Sequence, residues 1–131
     1  MAGDKSLILE GVVKARESIN DVTHNYILYD IESSLLYNEG GGPGEDWKVP
    51  TSTTDQEVAL PLGVSSATGV IIRIKKKPGA SDYIKVRFNS NGGTQFKVGS
   101  LLILLETNIT KLFVTNDSGS VVDTKIQFVG D

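Results

Sequence analysis

The feature that most constrains this chain is the regular alternation of apolar and polar residues in its second half. A period of two recurs in residues 70–75, 83–88 and 122–129, between segments rich in glycine, asparagine and proline. Successive side chains of a β-strand point to opposite faces of the sheet, so this period predicts strands with one buried face. The predicted interior contains Ile72, Ile74, Val86, Ile126 and Phe128.

Turn-forming segments predict how these strands connect. Residues 77–81 contain proline and glycine, and they predict a hairpin between the first two strands. Residues 116–120 predict a second hairpin, which joins residues 111–115 to the last strand. The Asn91-Gly92 pair within residues 89–93 predicts a tight turn into a strand over residues 94–98, because it tolerates positive φ angles.

Residues 101–105 are apolar on both faces, which predicts a central strand, with a short buried helix as the alternative. The first half of the chain is less regular. Residues 7–13 and 26–36 predict strands, although the spacing of Ile19, Val22, Tyr26 and Tyr29 also suits a helix.

Glycines dominate residues 38–46, and this segment predicts a flexible loop. We expect Gly40, Gly41 and Gly42 to act as a hinge or as an extension that orders against a neighbouring subunit, an ordinary surface loop being the alternative. Residues 47–55 predict irregular extended chain. Residues 57–62 predict a short strand at a sheet edge, because Pro61 lacks a backbone donor.

With 131 residues the chain has the length of one domain. The many short strands between turn segments predict an all-β fold, an antiparallel β-sandwich or jelly roll of eight or nine strands. The sequence has no cysteine, so disulfides and thiolate metal sites are excluded. Stability must therefore come from packing of the core.

His24 is the only histidine, which excludes multi-histidine zinc sites and leaves at most an isolated general base. The neighbouring carboxylates Asp30 and Glu32, and likewise Glu45 and Asp46, are too unspecific for a calcium or glycosidase site. We therefore expect a protein that is not an enzyme and that holds no cofactor or metal.

No basic segment leads into an apolar one at the amino terminus, and no apolar run approaches the roughly 20 residues that cross a bilayer. We expect synthesis in a cytoplasm and no membrane partner. Charge is divided along the chain: residues 1–60 hold eleven acidic and four basic residues, and residues 61–131 hold five and nine. The halves either neutralise each other within the fold or attract the opposite half of another copy.

A basic stripe is the most suggestive feature of the second half. Like charges on neighbouring strands repel unless an acidic partner relieves them, which predicts a partner-binding surface, with a solvated face as the alternative. The overall charge of −3 and the lack of aromatic residues beside the stripe, apart from Tyr83, argue against nucleic acid as a partner. The basic stripe consists of Arg73, Lys75, Lys76, Lys77, Lys85 and Arg87.

Residues 99–130 resemble small virion proteins of tailed bacteriophages. The resemblance lies in the pattern of apolar and polar residues in the predicted strands of residues 101–105, 108–116 and 125–130. It covers about a quarter of the chain. Those proteins are β-sandwiches that decorate capsids or form tail and fibre parts, commonly as trimers or higher oligomers. The resemblance implies a capsid decoration or cement protein that self-associates, as a trimer, and docks on capsid or tail proteins in the virion.

Two other functions fit the sequence. A tail or fibre component follows from the same resemblance. A carbohydrate-binding β-sandwich would use Trp47, Tyr37 or Tyr29 as a stacking platform, but the chain has no row of aromatic residues.

Overall fold

A computed structural model describes the backbone of residues 5–37, 39–40, 45–77 and 79–131. These residues contain strands and no helix, which confirms the predicted all-β class. Within this described part of the chain there is accordingly no helix that could cross a membrane. In chain order the strands are β1 (Lys5–Ile19), β2 (Val22–Tyr37), β3 (Glu39–Gly40), β4 (Glu45–Val49), β5 (Thr53–Val58), β6 (Ala67–Ile74), β7 (Ile84–Phe88), β8 (Phe96–Val98), β9 (Leu101–Ile109), β10 (Leu112–Asn116) and β11 (Val122–Gly130).

The strands form three antiparallel sheets in a sandwich-like arrangement. One sheet contains β5, β10, β7 and β8 in that order, and a second contains β3, β11, β6 and β9, with β4 also paired to β11. The third sheet is the hairpin of β1 and β2, which we call the arm. The eleven described strands exceed the eight or nine predicted, because the glycine-rich region and the segment after it also pair.

The core lies between the four-stranded and five-stranded sheets. The five residues predicted to form the interior are all buried, with exposed fractions of 6% or less. Strands from both sheets contribute alternate residues to this core, as in β10, where Leu112 and Val114 are fully buried. Each such side chain contributes about 1.5 to 3 kcal/mol through the hydrophobic effect.

Both predicted hairpins around this core are wrong. β6 pairs with β11 and β9, whereas β7 pairs with β10 and β8, so β6 and β7 belong to different sheets. Residues 117–121 likewise connect β10 in the four-stranded sheet to β11 in the five-stranded sheet. Alternation fixes which face of a strand is buried, but two strands that face each other across a core have the same pattern as two paired strands.

The hairpin of β7 and β8 is confirmed, with a different turn. The left-handed backbone conformation falls on Asn89, at φ 65°, and not on Asn91. The Asn89 side chain joins this turn to the connection between β9 and β10, because its Oδ1 accepts hydrogen bonds from the backbone N–H groups of Thr110 and Lys111 at 2.7 and 3.3 Å. β9 is a strand, as predicted, but it is the edge of its sheet and not central.

The loop predicted at residues 38–46 is partly strand. Its described residues lie in β3 and at the start of β4, and both strands pair with β11. The irregular chain predicted over residues 47–55 instead contains most of β4 and the first half of β5. Edge strands carry few pattern constraints because they have one partner and one exposed side, so their sequences show little alternation.

The arm replaces the alternatives left open for residues 7–36. β1 and β2 are single long strands, and no helix forms at Ile19 to Tyr26. Asn20 and Asp21 connect them with φ angles of 52° and 62°, the two positive values of a type I′ hairpin turn. At a rise of about 3.3 Å per residue the 15 residues of β1 span about 50 Å.

Candidate functional site

The distal part of the arm presents an unpartnered apolar face. Register pairs Ala15 with Tyr26, Glu17 with His24 and Ile19 with Val22, so these side chains share one face, together with Val13. The four largest apolar residues of this set are between 43% and 56% exposed. A two-stranded hairpin without a third layer is marginally stable in water, so this face needs a cover. We call Val13, Ile19, Val22 and Tyr26 the distal arm face.

The opposite side of the distal arm is more polar. Lys14 and Arg16 lie there with Asn25, and the Arg16 Nε donates a hydrogen bond to the Asn25 Oδ1 at 3.0 Å. Ile27, 65% exposed, is an apolar residue among them. The two faces therefore differ in charge: the positive side chains are on one face, and Glu17 is on the other.

The base of the arm touches the outside of the five-stranded sheet. Leu35 Cδ2 lies 3.0 Å from the position that a Cβ atom on Gly69 would take. Leu7 is opposite Leu35 in the register, and both are half-buried. Because Gly69 has no side chain, the base of the arm can contact the five-stranded sheet closely at this position.

The outer face of the five-stranded sheet changes from apolar to basic along its strands. Next to Gly69 and its partner Leu105 come Ile71 and Ile103, which are paired in the register and half-buried. The following rung places Arg73 between Leu101 and Lys125. Two like charges directly opposite each other destabilise a sheet unless an acidic group is near. We call Ile71, Arg73, Leu101, Ile103 and Lys125 the outer face.

The predicted basic stripe is divided between the two sheets, so it is not one continuous surface. Arg73 is exposed on β6, and Lys75, Lys76 and Lys77 follow that strand, whereas Lys85 and Arg87 lie on β7 in the other sheet. The prediction that Arg73 and Lys75 lie near Lys85 and Arg87 depended on a hairpin of β6 and β7 that does not form.

Acidic residues of the same chain neutralise three members of the stripe. Lys75 Nζ lies 2.5 Å from an oxygen of Asp46, and Arg87 Nη1 lies 2.6 Å from Asp55. Both acids come from the acidic half of the chain, which accords with the two halves neutralising each other within one fold. The hydrogen bond from Lys75 lowers the pKa of Asp46 below its ordinary value. Lys76 Nζ donates to the Asp82 carbonyl oxygen at 3.2 Å.

The third pair belongs to a cluster on the four-stranded sheet. Lys85 Nζ lies 2.7 Å from Asp117, and this hydrogen bond lowers the pKa of Asp117 and raises that of Lys85. Lys97, opposite Lys85 in the register, lies 4.2 Å from the ring centre of Tyr83. The ring and the carboxylate together offset the repulsion between the two lysines. Hydrogen bonding to Asp117 raises the pKa of Tyr83.

Trp47 lies at an open groove of about 780 Å³. Leu60, Leu62 and Phe128 also line the groove, and Trp47 packs against the core and is half-buried. This placement differs from the exposed stacking platform that a glycan site would need. The side chains of Tyr29 and Tyr37, and the predicted hinge residues Gly41 and Gly42, lie outside the described residues; Gly40 is in β3.

His24 stands on the distal arm opposite Glu17, with its ring 6.4 Å from that of Tyr26. In the part of the chain that the structure describes, no group of three or more histidine, aspartate or glutamate side chains could hold a metal ion. The arm itself was missed by sequence reasoning. The Asn20-Asp21 pair between two segments of similar length was the signal for it, since these residues favour positive φ.

Comparison with known proteins identifies no relative: no protein-family model matches the chain, and no curated protein or solved structure is similar to it.

Proposed function

We propose that this protein is a non-enzymatic structural component of a bacteriophage virion, a capsid decoration or cement protein that self-associates and docks on the capsid lattice. The observation that carries the assembly role is the exposed apolar face of the arm. An apolar patch of this kind on a soluble domain marks a protein interaction site. The virion itself is proposed from the resemblance of residues 99–130 to phage structural proteins.

The sandwich suits this role because its surface offers several separate contact regions. The arm is a sheet of its own, and the outer face and the groove beside Trp47 share only β11, so one copy can meet more than one neighbour. Many weak contacts in a lattice add up through multivalency, and no single contact needs high affinity. Three copies per assembly are what the resemblance implies.

A binding experiment with virus particles tests the proposal. Capsids of the phage that encodes this chain are prepared without the protein, and purified protein is then added and separated from free protein by sedimentation. The proposal expects saturable binding with a fixed number of copies per capsid. Absence of binding to capsids, together with a monomeric protein in solution, would overturn it.

A tail or fibre component is the second candidate, and the same phage supplies its test. Purified tails replace the capsids in the sedimentation experiment. Saturable binding to tails without binding to capsids would move the assignment from the capsid to the tail while leaving the structural class unchanged.

A carbohydrate-binding module is the third candidate and ranks lower, because Trp47 packs against the core. A glycan panel would reverse this ranking if a glycan bound and if the substitution Trp47→Ala abolished that binding.

A further inference from the structure

We infer that the distal arm face of one copy docks on the outer face of a second copy of this chain, with Glu17 of the arm beside Arg73 and Lys125. The inference deepens the proposed function and rests on its self-association, since it names the two surfaces that meet. The distal arm face and the outer face each bind another copy of the same protein and not a different partner.

The first argument is continuity with a contact that the structure already contains. Leu35, at the base of the arm, packs on the outside of the five-stranded sheet at Gly69. Register places Leu35 and Leu7 on the same side of the arm as Leu9 and Val13, so one arm face begins on the sheet and continues beyond the body. The distal half of this face is again largely apolar, with Glu17 and His24 as its charged and polar members.

The second argument is that the sheet has matching apolar surface next to the seated arm. Ile71 and Ile103 lie one rung beyond Gly69 and Leu105 on the same side of the sheet, and both are only half-buried. Leu101, at the next rung, is 55% exposed. The arm of the same copy occupies the Gly69 end, which leaves these residues for the arm of another copy.

The third argument is charge complementarity. Arg73 and Lys125 are directly opposite each other, and Asp46, which is opposite Lys125 on the neighbouring strand β4, already binds Lys75. Asp46 also feels the charge of Lys125. Among the described residues Arg73 has no ion-pair partner. Glu17 is the one acidic side chain on the distal arm face, and it would relieve this repulsion.

Charge also determines which side of the arm docks. Lys14 and Arg16 lie on the opposite side, so that side would bring two more positive charges to Arg73 and Lys125. A like-charge contact of this kind excludes the wrong orientation.

The contact joins two different surfaces, so it can repeat from copy to copy. Such a contact closes into a ring when the rotation between copies allows it, and a ring of three agrees with the trimer that the resemblance implies. Two copies that exchange arms reciprocally satisfy the same contact. Either closed assembly leaves no arm uncovered.

Charge reversal tests the contact. We expect Glu17→Arg and Arg73→Glu each to weaken self-association about tenfold or more, measured by light scattering over a range of concentrations. Arg16→Glu, on the opposite side of the arm, is the matched control and should keep the mass of the wild type. Circular dichroism should show the same β content in all variants, because all three side chains are exposed.

Mixing the two defective variants makes the test specific. The intact arm of Arg73→Glu can dock on the intact outer face of Glu17→Arg, so the mixture should form a heavier species that neither variant forms alone. Unchanged mass of both single variants, or a mixture that stays monomeric, would overturn the inference.

Capsid sedimentation separates this result from the proposed function. If charge reversal and mixing behave as expected but wild-type protein binds no particle, the arm contact holds and the virion role is wrong. If wild-type protein binds particles but charge reversal leaves its mass unchanged, the virion role stands and the arm contact is wrong.

Discussion

Leu35 in the arm and Gly69 in β6 approach each other so closely that a Cβ atom on Gly69 would lie 3.0 Å from Leu35 Cδ2 and 2.9 Å from Val129 Cγ2. This contact couples the arm to the body of the protein. It also explains why a glycine interrupts the apolar pattern of β6, between Thr68 and Val70.

The substitution Gly69→Ala should weaken this contact between the arm and the body of the protein. Overpacking a site of this kind costs about 1 to 3 kcal/mol, and Leu35 is one of the groups that must move. We expect a lower urea midpoint and faster proteolysis within β2. Gly99→Ala is the matched control, because the nearest atom to its added methyl group is Lys76 Nζ at 3.9 Å. Equal urea midpoints for the two variants would show that the contact between Leu35 and Gly69 does not stabilise the protein.

Among the buried polar residues, Asn116 should be the one whose substitution destabilises the fold most. Its fully buried amide donates to the carbonyl oxygens of Val49 and Ser120 at 3.0 and 2.8 Å, and its Oδ1 accepts from the Ser118 hydroxyl at 2.7 Å. Asn116→Ala removes these hydrogen bonds and leaves the Ser118 hydroxyl only its 3.3 Å bond to the Ser120 carbonyl oxygen, and the free energy of unfolding should fall by about 2 to 4 kcal/mol. Chemical denaturation measures the loss. The exposed Asn91→Ala should be neutral, and a similarly small effect at Asn116 would contradict this account of its role.

The pair of Lys85 and Asp117 should make stability depend on pH. The lowered pKa of Asp117 means that its contribution is present above the ordinary value of 3.8 and is lost as pH falls through the folded-state value. The raised pKa of Lys85 means that its contribution is present below 10.5 and is lost as pH rises through the folded-state value.

We therefore expect Asp117→Asn to lower the urea midpoint at neutral pH and to approach the wild-type midpoint at both extremes of pH. Asp123→Asn is the control. A deficit of Asp117→Asn that stays constant down to about pH 2 would show that the carboxylate does not stabilise the fold through this pair.

A substitution in the turn between β1 and β2 should stabilise the arm. Asp21 has a φ of 62° in a type I′ turn, in which glycine is favoured at the second central position. Asp21→Gly should stabilise the arm by a few tenths to about 1 kcal/mol, seen as slower amide exchange in β1 and β2. Asp21→Val should have the opposite effect. Exchange rates that do not respond to either change would mean that the turn is not type I′.

The period of two in the second half was sufficient to predict the strands and their buried faces, as at Ile72 and Ile126. It did not predict the partners of those strands, because β6 and β7 carry the same alternation whether they pair with each other or lie across the core. Pairing is fixed by long-range contacts such as that between Ile72 and Ile126, which no local pattern records.

The basic stripe illustrates the same limit for the candidate site. Four of its six residues do follow each other from Arg73 to Lys77, but their partners come from distant segments, as Asp46 does for Lys75. The arm was hidden for a different reason: both of its faces carry exposed residues over much of its length, so it lacks the clear alternation of a half-buried strand. Its turn at Asn20 and Asp21 was the one local indication.

The mass of the protein in solution tests the central claim, that the arm joins copies of this chain. Sedimentation equilibrium of the wild type should give a multiple of 14.1 kDa, and the double variant Ile19→Ser with Val22→Ser should give 14.1 kDa with unchanged circular dichroism. A wild-type protein that remains at 14.1 kDa over the whole concentration range, with its arm protected from proteolysis, would contradict it.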